Sequence, residues 1–167
     1  MKTLLLLRHG KSDWSADYDA DADRPLKGRG KKAAQRMGAF LAATGQAPDR
    51  IVSSPAVRAR ETARRVAEAG GFSDLDIGLD PALYFGGVEP LLAALHRQPT
   101  GAKTVMLAGH EPVWSAACAA FIGGGDLRFV TAAVARIDFD AERWADVRFG
   151  GGELQWFLPP RLLDGLV

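Results

Sequence analysis

Apolar positions along this chain fall into two alternating patterns. Short continuous apolar runs, which suit strands buried on both faces, occur at Thr3–Leu7, Arg50–Ser53, Lys103–Ala108 and Val134–Phe139, with a weaker one near Gln155–Leu158. The longer stretches between them repeat with helical spacing. Ala33, Met37, Phe40, Leu41 and Thr44 give one apolar face to a helix from about Gly28 to Thr44, and Gly45 ends it. A second helix has Pro55 in its first turn, Ala59, Ala63, Val66 and Ala67 on one face and a Glu61–Arg65 pair, and it stops at Gly70-Gly71. A third covers Glu89 to Arg97. A fourth starts at Pro112, buries Val113, Trp114, Ala117, Cys118 and Phe121, and stops at Gly123-Gly124-Gly125. Strands alternating with amphipathic helices predict an α/β fold of three layers, a mostly parallel central sheet with helices on both faces. With no internal repeat, heptad run or long linker, residues 1–167 are expected to form a single domain.

Composition narrows the function more than the fold. A chain of 167 residues with 47% hydrophobic content buries a sizeable core without a disulfide framework, and Cys118 is the one cysteine. The 21 Lys and Arg stand against 20 Asp and Glu, so the net charge of +1 argues against nucleic acid as a partner, which needs a strongly basic face. The run Leu4–Leu7 ends at Arg8-His9 and is too short for a signal peptide or a membrane span. A soluble protein with a cytoplasmic location and no membrane partner is expected.

Two of the predicted strands end on histidine. Leu4–Leu7 runs into Arg8-His9-Gly10, and Val105–Ala108 runs into Gly109-His110-Glu111-Pro112. A third ends in Ser53-Ser54-Pro55-Ala56-Val57-Arg58, which puts Arg58 in the first turn of its helix, where anions are favoured. Open α/β sheets bind ligands outside the carboxyl ends of their strands, so these junctions are expected to gather Arg8, His9, Arg58 and His110 around one crevice. Two guanidiniums and two imidazoles suit a tetrahedral dianion such as a phosphoryl group. Taken singly, Arg-His-Gly is a weak motif, and a lone histidine at a strand end is more often just hydrogen-bonded. Three junctions of one kind are harder to dismiss.

These residues resemble the histidine phosphatases, the phosphoglycerate mutase-like superfamily. The similarity is carried by Leu7-Arg8-His9-Gly10, by Arg24-Pro25-Leu26 with Gly30 beyond it, by Ser54-Pro55-Ala56-Val57-Arg58-Ala59-Arg60-Glu61-Thr62, and by Gly109-His110-Glu111-Pro112. It covers most of the chain. The short length, Lys11-Ser12-Asp13-Trp14 and Thr131-Ala132-Ala133 look most like the compact bacterial branch of SixA phosphohistidine phosphatases. The resemblance implies a phosphoglycerate mutase-like fold, His9 as the nucleophile that takes the phosphoryl group, and Arg8, Arg58 and His110 as the groups that hold its oxygens. It implies no metal and no other cofactor. The chemistry agrees, because an imidazole with a pKa of about 6.5 is available as a nucleophile at pH 7 and neighbouring arginines disfavour its protonation. A covalent phosphohistidine divides a slow hydrolysis into two displacements.

The general acid departs from the wider family pattern. Mutase-type relatives carry a glutamate soon after the third strand, whereas Asp80-Pro81-Ala82-Leu83-Tyr84-Phe85-Gly86-Gly87 contains none. Glu89, slightly downstream, is the candidate acid, with complementing its helix dipole as the alternative role; Asp13 and Glu111 rank behind it. Weak acid catalysis favours leaving groups that need little help. Neutral imidazole, whose conjugate acid has a pKa of about 6.5, leaves readily, while an alkoxide related to water at roughly 15.7 does not. The expected partner is therefore a phosphorylated protein, such as a His-phosphorylated signalling protein, or a small phosphorylated molecule of the aryl phosphate kind, with sugar phosphates poor. Two alternatives stand beside this reading: a small-metabolite phosphomonoesterase with Glu89 as general acid, and a non-catalytic phosphate-binding module.

Other signals lead elsewhere. The run Asp17, Asp19, Asp21, Asp23 has calcium-loop spacing, but Ala22 and Gly28 stand where glycine and glutamate are needed, so it reads as a solvated loop. Gly28-Arg29-Gly30-Lys31-Lys32 lacks the leading glycine and the hydroxyl residue of a P-loop. Cys118 belongs to an apolar helical face, and the four tryptophans are too scattered for a stacking platform, so core or rim packing accounts for each.

Overall fold

The computed structural model describes residues 1–166. β1 (Lys2–Arg8) is an interior strand, and all four of its consecutive leucines are fully buried because helices cover both of its faces. The remaining strands are β2 (Arg50–Ser53), β3 (Ile77–Leu79), β4 (Thr104–Gly109), β5 (Val134–Phe139) and β6 (Gly152–Leu158). They form one sheet in the order β3-β2-β4-β1-β5-β6. β3, β2, β4 and β1 pair in parallel, while β5 runs antiparallel to both β1 and β6. The sheet is thus mostly parallel, as the alternating pattern predicts.

Successive residues of a strand point to opposite faces, and the two cores follow that rule. Leu5, Leu7, Ile51 and Met106 meet α1 (Gly28–Ala43) and α2 (Val57–Gly70) on one side. Leu4, Leu6, Val105 and Leu107 meet α4 (Val88–His96) and α5 (Val113–Ile122) on the other. A one-turn helix, α3 (Ala82–Phe85), lies between β3 and α4. α1 and α2 approach so closely that a Cβ on Gly38 would stand 2.2 Å from the Val66 carbonyl oxygen. Among the described residues, no helix is long and apolar enough to cross a membrane.

Several details differ from the sequence reading, the one-turn α3 among them. β3 was not anticipated; it is three residues long with glycine at its centre, too short to show a period. α2 and α5 begin at Val57 and Val113, after Pro55 and Pro112 rather than upon them. β6 starts at Gly152, three residues earlier than its apolar signal.

Candidate active site

Register fixes where the functional side chains emerge. Arg8 pairs with Gly109 across β1 and β4, and Ser53 pairs with Ala108 across β2 and β4, so three parallel strands end level with one another. The next residues continue that alignment: His9 N donates to Gly109 O at 2.9 Å, and Ser54 N donates to Ala108 O at 2.9 Å. Gly10 lets the chain turn out of β1 against the start of α1, because a Cβ there would meet Gly30 O at 2.8 Å. Thr62 of α2 then accepts from Gly10 N at 2.9 Å and donates to Arg58 O at 2.6 Å, tying the loop to the helix that carries Arg58.

The result is a cleft of about 230 Å³ lined by Arg8, His9, Arg58 and His110, together with Arg24 and Lys11. The imidazoles of His9 and His110 lie with ring centroids 5.1 Å apart. A larger groove of about 450 Å³, between Val57, Arg60, Arg64 and Leu79, contains none of the four candidate residues.

A hydrogen bond assigns the tautomer of His9. His9 Nδ1 lies 2.7 Å from Gly10 O, a group that only accepts, so Nδ1 carries the proton and Nε2 keeps a lone pair. Ser54 Oγ accepts from Ala56 N and lies 2.8 Å from His110 Nε2, a bond that the hydroxyl can either give or take. The other ring nitrogen of His110, Nδ1, is buried and has no hydrogen-bond partner among the described residues, and the same holds for the donors Arg8 Nε and Arg58 Nε. Burial above all, joined by the positive fields of Arg58 and Arg8, pushes the pKa of His9 down to about 3, against a raising effect of its bond to Gly10. Burial and then Arg58 push His110 down to about 4. Both rings are neutral at pH 7.

The structure brings four of the five sequence candidates together and leaves the fifth outside. Glu89 is exposed in the first turn of α4 and does not line the cleft. Asp13 bonds Ser15, whose hydroxyl and N–H hold its carboxyl below the usual range, opposite to what a general acid requires. Glu111 does line the cleft, but its carboxylate accepts from Ser115 and from Phe129 N at 3.0 Å. It steadies the segment whose Phe129 O accepts from Arg8 Nη1 at 2.6 Å.

Several neighbours of the site were not singled out from sequence. Asp21, read as part of a solvated acidic loop, ion-pairs with Arg58 at 2.9 Å and with Arg24 at 2.7 Å; Asp17, Asp19 and Asp23 are exposed as expected. Tyr84 donates to Asp21 at 2.7 Å and packs edge-on to His110 at 5.3 Å. Trp14 stacks on Arg24 at 3.6 Å and forms an exposed rim. Arg24 and Trp14 were visible only as parts of motifs, and nothing local in the sequence marks Asp21 or Tyr84 as neighbours of the site.

Comparison with known proteins gives the same picture. Residues 4–84 match the histidine phosphatase superfamily, branch 1. An uncharacterised protein of Mycobacterium tuberculosis is 33% identical over 165 residues, covering 93% of this chain and all of that protein. A proposed phosphohistidine phosphatase SixA from Agrobacterium tumefaciens is 30% identical and superposes with a TM-score of 0.78 over 95% of this chain and 98% of its own. A protein histidine phosphatase SixA solved in complex with tungstate is 25% identical, with a TM-score of 0.81 over 96% of this chain and 99% of its own. Sequence and architecture therefore agree along nearly the full length of these relatives, and the chain belongs to the histidine phosphatase superfamily, in its SixA-type branch.

Proposed function

We propose that this phosphatase hydrolyses phosphohistidine in proteins through a covalent phosphohistidine on His9. One observation carries the reading: among the described residues, the buried donors Arg8 Nε and Arg58 Nε and the buried His110 Nδ1 have no hydrogen-bond partner, and they belong to residues that line one cleft with a neutral His9. A buried donor left unmatched costs roughly 1–3 kcal/mol, so a phosphoryl group that offers three oxygens is favoured there. A SixA relative has been solved with tungstate, another tetrahedral oxyanion.

The first step follows from the tautomer of His9. His9 Nε2 supplies its lone pair to phosphorus while the bond from phosphorus to the leaving group breaks. The guanidiniums of Arg8 and Arg58 and the N–H of His110 match the charge on the equatorial oxygens, which is the main task in phosphoryl transfer. Water then attacks the phosphorus and its protons leave with the dihydrogen phosphate formed, while the bond to Nε2 breaks and its electron pair restores the neutral ring.

Leaving-group chemistry selects the substrate. Glu111 is engaged and Glu89 lies outside, so neither carboxyl is poised to protonate an alkoxide. A phosphoimidazole that takes its proton from water leaves as neutral imidazole and needs no such acid. The test is kcat/KM at pH 7 for a phosphohistidine peptide, phenyl phosphate and glucose 6-phosphate. The expected order is the order given, with glucose 6-phosphate at least tenfold below the others; a preference for the sugar phosphate overturns the substrate assignment.

A further inference from the structure

The carboxylate of Asp21 pairs with two of the arginines that line the cleft. Its Oδ1 is 2.7 Å from Arg24 Nη1 and its Oδ2 is 2.9 Å from Arg58 Nη2, while its backbone oxygen accepts from Arg58 Nη1 at 2.7 Å. The Tyr84 hydroxyl donates to the same Oδ2 at 2.7 Å. The two arginines are almost fully buried and line the cleft, whereas the Asp21 side chain is about half exposed, at 51%. Among the described residues the Arg24 side chain is otherwise hydrogen-bonded only through Nε, to Ser12 Oγ at 3.1 Å, and its Nη1 contact with Asp21 lies outside hydrogen-bonding geometry. Burial acts to raise the pKa of Asp21, but Tyr84, Arg58 and Arg24 outweigh it and hold the carboxyl below its usual range. It is an anion at pH 7.

Charge and shape point the same way. Four cations line the cleft, Arg8, Lys11, Arg24 and Arg58, against the carboxylates of Glu111 in its wall and Asp21 beside it. With both imidazoles neutral, two positive charges remain, enough for one phosphoryl dianion. Without Asp21 a surplus positive charge would face the cleft from Arg24. The surroundings are aromatic: Trp14, at the cleft, lies over Arg24, and Tyr84, with the exposed Phe85 against it, packs beside His110. Such surfaces favour a flat, uncharged leaving group.

We propose that Asp21 is a specificity-determining residue: it fills, from within the chain, an anion subsite made by Arg24 and Arg58. The cleft is thereby restricted to substrates whose phosphoryl group is their only nearby anion, and phosphorylated carboxylic acids and bisphosphates are excluded. The proposal rests on the reading of the cleft as a phosphoryl site and deepens it.

The test is binding of two non-hydrolysable phosphonates, measured by titration calorimetry, so that it does not depend on turnover. Phenylphosphonate carries the phosphoryl mimic alone; 3-phosphonopropionate adds a carboxylate. The native protein is expected to bind phenylphosphonate at least tenfold more tightly. Asp21→Asn should shift the ratio of dissociation constants at least tenfold toward 3-phosphonopropionate, Asp21→Glu should leave it within about threefold of native, and adding Arg24→Gln to Asp21→Asn should remove the gain. A ratio unchanged in Asp21→Asn, a gain that survives loss of Arg24, or an equal shift in Asp21→Glu overturns the proposal. Failure of the catalytic reading would appear separately, as phosphonate binding without turnover of phenyl phosphate.

Discussion

At the scale of single residues, the two imidazoles make stability depend on pH in a direction that can be derived. In the folded chain His9 and His110 resist protonation down to about 3 and 4, because charging them means placing a cation in a buried site beside guanidiniums. Unfolding returns both to water, where their pKa is about 6.5. Between those values the unfolded chain binds more protons than the folded one, so stability is full above about pH 6.5 and falls with pH below it. From pH 7 to pH 5 the loss is about 2 kcal/mol for each imidazole. Thermal unfolding by circular dichroism should show Tm dropping across that interval, and dropping less in His110→Asn. An equal drop in the variant would mean that His110 is not held neutral by the fold.

At the scale of elements, α1 packs closely against the last turns of α2, the helix that carries Arg58 in its first turn. Gly38→Ala would put a methyl 2.2 Å from Val66 O, and the helices must part to admit it. Overpacking of this kind costs about 1–3 kcal/mol. Urea denaturation should show the loss, and an unchanged midpoint would contradict the packing described. The same scale explains what the sequence made legible. Leu4–Leu7 announces an interior strand because burial on both faces removes the usual alternation, and His9 and His110 announce the cleft because each follows such a strand directly. Ile77–Leu79 shows nothing comparable, being three edge residues that gain their strand character from pairing with β2. Asp21 was hidden for a related reason. Its alternation with Asp17, Asp19 and Asp23 is that of a solvated loop, and its partners Arg58 and Tyr84 are 37 and 63 residues away in sequence. Glu89 looked plausible by nearness in sequence to the third strand, but the short helix α3 and the turn after it place it on the outer surface of α4.

For the whole molecule, the arrangement at the carboxyl edge of the sheet turns ordinary strand ends into a site that supplies its own positive charge. Arg8 comes from β1, Arg58 from α2, and the imidazoles from the ends of β1 and β4, all meeting at one cleft. On the proposed scheme guanidiniums take the role that a metal ion plays in other phosphoryl-transfer sites, so hydrolysis of phenyl phosphate should persist undiminished in EDTA, and restoration of activity only by added Mg²⁺ would count against the scheme. The most direct test is to trap the intermediate. After rapid acid-free quenching of the protein mixed with a ³²P-labelled phosphoramidate or aryl phosphate, the label should be acid-labile and alkali-stable, should map to the peptide that holds His9, and should vanish together with turnover in His9→Ala. Turnover that proceeds with no labelled histidine, or that continues in His9→Ala, would contradict the account.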